Sequence, residues 1–117
     1  MDSLLKTPEP PYYAVIFTSK RTEGDRGYGA MAEKMEEWAS RQKGFLGVEG
    51  ARDERLGITV SYWDSLETIN NWKENSAHRA AQEKGKSDWY DAYTIRVCRV
   101  ERQSGSKEQE EQRTAGF

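Results

Sequence analysis

The stretch Tyr12-Tyr13-Ala14-Val15-Ile16-Phe17-Thr18 carries an aromatic or β-branched residue at every position but Ala14. Read as a strand, it puts Tyr12, Ala14 and Ile16 on one face and Tyr13, Val15 and Phe17 on the other. A strand apolar on both faces belongs in the middle of a sheet that is covered on both sides. That demand falls on a polar chain: of 117 residues only 35% are hydrophobic and 32% are charged, with a mean hydropathy of -1.00. Evenly spread, such a composition would leave the chain disordered. Instead nearly all large apolar residues, including the 4 Trp, lie between Tyr12 and Val100, which predicts one small core.

The sequence divides into three segments. Pro8, Pro10 and Pro11 make residues 1–11 an extended lead-in, because proline lacks an amide donor and biases its predecessor away from helix. Residues 12–101 form the folded domain. From Arg102 to the end, 102–117, Gln, Ser, Gly, Lys and Glu dominate, and the reading is a polar, disordered tail.

Within the domain, the first strand runs from Tyr12 to Thr18 and a polar loop follows over Ser19 to Gly27. Tyr28, Met31, Ala32, Met35, Trp38 and Ala39 then recur at three- and four-residue spacing, the mark of an amphipathic helix, with Gly44 placed to end it. Phe45 to Ala51 and Gly57 to Trp63 read as two strands joined by the charged turn Arg52-Asp53-Glu54-Arg55. Asp64 followed by Glu67 is a capping-box pattern, with Leu66, Ile69 and Trp72 as the inner stripe of a second helix. Asn75-Ser76 offers a fresh N-cap for a short third helix from Ala77 to Lys84, ended by Gly85. Tyr90 to Val100 is the last strand.

This order predicts an α+β fold, a ferredoxin-like βαββαβ arrangement with a four-stranded antiparallel sheet and helices on one face. The other face then needs a cover, and a second copy of the same face supplies it most simply, giving a homodimer.

Several function classes are excluded at this level. A net charge of -2 without a Lys/Arg run argues against a nucleic-acid partner. The single Cys98 and single His78 cannot build a thiolate cluster or a multi-His metal site, so no metal is expected. No apolar run reaches the ~20 residues of a membrane span, and the first residues lack signal-peptide order. The expectation is a cytoplasmic protein without a membrane partner.

Tyr12-Tyr13-Ala14-Val15-Ile16-Phe17, Gly44-Phe45-Leu46-Gly47-Val48-Glu49, Ile58-Thr59-Val60-Ser61-Tyr62-Trp63-Asp64-Ser65, Asn71-Trp72-Lys73 and His78-Arg79-Ala80-Ala81-Gln82 together resemble the antibiotic biosynthesis monooxygenase family over residues 12 to 101. The resemblance implies a homodimer whose sheets face one another as a dimeric α+β barrel, with a pocket between helices and sheet in each subunit. It further implies oxidation of a small aromatic or polycyclic phenol by molecular oxygen with no cofactor. Other similar proteins cleave heme. Those relatives look alike in a helix Trp, an iron-ligating His ten residues later and an Asn on the first strand. Trp72 matches, whereas Gln82 and a position near Phe17 depart from the pattern. A binding or stress-associated module with the same fold and no chemistry is the alternative.

Trp72, inward by helix phase and by resemblance, is a candidate to stack on the substrate, or is simply core. His78 has the ordinary pKa of a general base for a phenol, or caps a helix start. Tyr13, Tyr28, Tyr62 and Tyr93 are candidates to line the pocket and offer hydroxyls to a substrate oxygen, with core packing as the stronger reading for most of them, and Phe17 and Gln82 are further candidates to bind substrate. Arg96 and Arg79 are candidates to stabilise a phenolate, although a solvated or dimer-edge position is the stronger reading for Arg96. Trp63 and Trp89 are weaker pocket candidates, with packing across the sheet and anchoring of the loop into the last strand as their competing readings, Met31 and Met35 read as helix packing, and Cys98 reads as a buried small residue. The loop Glu23-Gly24-Asp25-Arg26-Gly27 reads as a flexible rim over the pocket mouth.

Overall fold

A computed structural model describes residues 4–106, apart from the side chains of residues 76 and 77. The elements are β1 (Tyr12–Arg21), α1 (Tyr28–Ser40), β2 (Phe45–Arg52), β3 (Leu56–Trp63), α2 (Leu66–Lys73), α3 (Ser76–Lys84) and β4 (Tyr90–Val100). They form a four-stranded antiparallel sheet in the order β2-β3-β1-β4, with three helices in a ferredoxin-like arrangement. The two-faced strand β1 is central, as its composition requires.

β1 is longer than its apolar run. Ser19 and Arg21, expected in a loop, are buried strand residues. Arg21 satisfies its guanidinium internally, donating from Nε to the Trp89 carbonyl at 3.0 Å and from Nη2 to the Gly24 carbonyl at 3.0 Å. Local polarity therefore fails to mark the strand's end, because tertiary partners replace water.

Two helix boundaries also differ. Helix α2 is capped by Ser65, whose Oγ accepts from the Thr68 amide at 3.2 Å. Asp64 instead accepts from the Thr68 hydroxyl at 3.1 Å, so the Asp64–Glu67 capping box is one residue out of register. Gly44 is not the terminator of α1, which ends at Ser40. It is required in the connection to β2, where φ is +87° and a Cβ would lie 2.5 Å from Asp64 and Thr68 atoms. Gly85 likewise does not stop α3, for the chain continues through a π-helical turn, Gly85–Trp89, directly into β4.

The sheet face carrying Val15 and Phe17 packs against the helices. On the opposite face, the lead-in segment crosses one end: the Thr7 hydroxyl is within 2.9 Å of the Tyr12 hydroxyl, both meet Gln103 Oε1, and Leu5 packs over Gly47. This face is thus partly covered by the chain's own first residues. Ile58 stays 46% exposed there, and Leu56 50%. Of the tail expected over 102–117, Gln103 is anchored in this contact, and residues 107–117 lie outside the described residues. No helix among the described residues is long and apolar enough to cross a membrane.

Candidate active site

A cavity of about 570 Å³ lies between the sheet and the helices. Its floor is Val15 and Phe17 of β1 with Thr59, Ser61 and Trp63 of β3, and its walls include Met31 and Met35 of α1, Trp72 of α2, and His78 and Gln82 of α3. Ile95 and Val97 of β4 continue the floor at 42% and 51% exposure, because no helix reaches over that edge. The lining is chiefly apolar and aromatic with a few polar groups, the usual make-up of a small-molecule site.

One end is an aromatic column. Phe45 meets Trp63 edge to face at 5.3 Å, Trp63 stacks on Trp72 at 6.2 Å, and Trp72 stacks on the His78 ring at 4.6 Å with planes 14° apart. Trp63 is completely buried, and its indole Nε1 donates to Ser61 Oγ at 2.9 Å. The imidazole is fixed by the short link between α2 and α3. Asn75 Oδ1 accepts the His78 amide at 3.1 Å, and His78 Nδ1 donates to the Trp72 carbonyl at 3.1 Å. A carbonyl can only accept, so the neutral ring carries its proton on Nδ1 and has its lone pair on Nε2. Burial pulls the His78 pKa below its ordinary value, while the Trp72 carbonyl acts in the opposite direction.

The expected site residues thus separate into two groups. Phe17, Trp72, His78 and Gln82 line the cavity together. Tyr13 shares the sheet face of Phe17 but is not part of the lining. Tyr62 and Arg96 stand on the opposite face. Tyr62 donates to Glu49 Oε1 at 2.8 Å and meets Tyr12 edge to face at 5.8 Å, and the exposed Arg96 pairs in register with Ile16. One residue of register decides which face a strand side chain occupies. Arg79 points to solvent and pairs with Glu74 at 3.4 Å. The His78 ring covers one face of the Trp72 indole, and Trp72 remains part of the cavity lining.

Tyr28 and Trp89, both among the expected candidates, line the cavity at the end near the π-turn together with Tyr90, which the sequence did not single out, whereas Tyr93 is not part of the lining. Trp89 is buried and its Nε1 donates to the Arg26 carbonyl at 3.0 Å, which ties down the rim loop. Cys98 is half-buried on the opposite sheet face, in register with Ala14. Among the described residues, no group of three or more His, Cys, Asp or Glu comes together as a metal site.

Known proteins share both the sequence and this architecture. The Bacillus subtilis (strain 168) protein YqjZ, described as uncharacterized, is 58% identical over 104 residues, covering 88% of this chain and 91% of that one. SnoaB, a cofactor-independent oxygenase from Streptomyces nogalater, superposes with a TM-score of 0.69 at 8% identity over 80% of this chain and 95% of its own. Rv0793 from Mycobacterium tuberculosis gives 0.71 at 9% identity, over 80% and 99%. These two likenesses concern the fold. The family model for antibiotic biosynthesis monooxygenases matches residues 11–84, more than half of the chain, and the protein belongs to that family.

Proposed function

We propose that the protein is a cofactor-independent oxygenase of small aromatic or polycyclic phenols, with His78 as general base and Trp72 holding it in place. The observation that carries this reading is the His78 ring itself. Its Nδ1 proton is committed to the Trp72 carbonyl and its ring is stacked on Trp72 beside an aromatic-lined cavity.

The chemistry needs little more than a base, an orienting wall and exclusion of water. Nε2 takes the phenol proton, and the phenolate becomes electron-rich enough to reduce oxygen. A ring carbon bonds to dioxygen, and the resulting peroxide takes the proton back from Nε2. The O–O bond then breaks as that carbon loses its hydrogen, releasing water and leaving a second carbonyl. One oxygen atom enters the product, the other leaves as water, and all four electrons that reduce dioxygen come from the substrate. Gln82, one helical turn beyond His78, offers an amide to hold a substrate oxygen, and Phe17 supplies floor contact.

The family likeness and the fold shared with SnoaB support an oxygenase reading. In this proposal the working unit is a cytoplasmic homodimer, joined through the sheet face that bears Ile16, Ile58 and Val60. The test is oxygen consumption with anthrone and a panel of hydroxynaphthalenes. One equivalent of oxygen per substrate, lost in His78→Ala, is the expected result. Binding without turnover would instead identify a ligand-binding module built on the same fold.

A further inference from the structure

The cavity floor is apolar except for two hydroxyls on β3. Thr59 and Ser61 stand two residues apart, opposite Phe17 and Val15 of β1, and so share the face turned to the helices. Their surroundings differ. Ser61 Oγ accepts the Nε1 proton of Trp63 at 2.9 Å, and that indole is completely buried, edge to face with Phe45 and stacked on Trp72. The ring cannot turn away without giving up those contacts, so it fixes the Ser61 oxygen in place. The Thr59 hydroxyl has no hydrogen-bond partner among the described residues.

A hydroxyl carries one proton and two lone pairs. At Ser61 one lone pair takes the indole proton, and the serine's own proton meets no acceptor among the described residues. The residue is half-buried and lines the cavity, so a bound ligand is what can use that proton. Accepting from Trp63 strengthens the hydroxyl as a donor, and its fixed oxygen spares a ligand part of the ordering cost of binding. His78, reached along the aromatic column through Trp63 and Trp72, is its complement. The imidazole presents a lone pair on Nε2, whereas Ser61 presents a proton.

We propose that Ser61, oriented by Trp63, determines specificity by donating a hydrogen bond to a carbonyl-type acceptor oxygen of the ligand. This rests on the phenol-oxygenase reading for its site and adds what the floor recognises. Probes without a phenolic hydroxyl have no proton to give His78 and report on Ser61 alone, so failure here and failure of turnover are separate results.

The probes are benzophenone and diphenylmethane, which share a carbon skeleton and differ by a carbonyl in place of a methylene. Calorimetric titration gives the affinity of each. Ser61→Ala should weaken benzophenone binding about tenfold, the cost of leaving a buried acceptor unpaired, and change diphenylmethane binding by less than about twofold. Ser61→Cys, which keeps a weak acceptor for the Trp63 proton but is a poor donor, should show the same split. A second measurement needs no substitution: the carbonyl-carbon NMR resonance of benzophenone bound to the unaltered protein should lie downfield of its position in hexane, as that of a hydrogen-bonded ketone does. In the variants it should return toward that position. Equal losses for the two probes would make Ser61 a packing residue and overturn the proposal. An unshifted resonance, or failure of benzophenone to bind, overturns it as well, and the oxygenase reading then still stands or falls on oxygen consumption.

Discussion

His78 is the lone histidine of the chain, and its environment makes its titration visible in stability as well as in activity. Burial holds the neutral form, so the folded-state pKa lies below the unfolded value near ~6.5. As pH falls through that value the unfolded chain takes up the proton first, and stability contributed by the neutral ring is lost on acidification, whereas above it nothing changes. Denaturant unfolding from pH 7.5 to 5 should show the unaltered protein losing stability relative to His78→Gln. Equal slopes would mean the ring is not held neutral. Oxygen consumption should fall on the acid side with an apparent pKa below ~6.5, and His78→Ala should lower turnover about 100-fold at neutral pH. Trp72 acts on the same ring through its carbonyl, which any residue retains, and through its indole. Trp72→Phe should keep most activity and the acid limb. Trp72→Ala should cost about 2–3 kcal/mol in urea unfolding, since the side chain is half-buried, and should shift that limb.

Among the elements, α2 and the link to α3 decide where Trp72 and His78 lie. The Ser65 cap sets the first turn of α2 and Asn75 that of α3. Ser65→Ala should destabilise the domain by about 1 kcal/mol, whereas Glu67→Ala, which removes the partner expected in a capping box, should change stability by less than about 0.5 kcal/mol. Thermal unfolding of the two variants distinguishes the two assignments, and the reverse order would restore the Asp64–Glu67 box. The π-turn after α3 serves a different end. It carries the buried Trp89 onto the rim loop and delivers Tyr90 into the cavity wall.

At the scale of the molecule, the proposed homodimer rests on the sheet's second face. Its lead-in cover spans Tyr12 and Gly47, which leaves Ile58 exposed and Ile16 and Val60 half-buried. A second copy packed on this patch would remove it from water. Sedimentation at micromolar concentration should give twice the chain mass, and Ile58→Glu should return a folded monomer, because dimerisation would bury a charge without a partner. A monomer before any substitution would rule out the paired sheets.

The order of strands and helices was legible from side-chain period alone, since a strand with two apolar faces and a helix with one stripe each have few ways to be covered. Helix phase pointed Trp72 inward, whereas Phe17, His78 and Gln82 were singled out through the family resemblance, and all four line the cavity. Strand alternation grouped Tyr62 with Ile58 and Val60 but left open which face meets the helices, and register against β1 puts Tyr62 and the exposed Arg96 on the far side. The end of β1 and the meeting of Tyr28 with Tyr90 in the cavity wall depended on partners distant in sequence. Arg21 can be buried only because the carbonyl of Trp89 comes to it, and Tyr28 and Tyr90 meet only once α1 and β4 are assembled. Period and capping act within a few residues and can be read along the chain, whereas burial of charge and pairing of polar groups exist only where the folded chain brings their partners together.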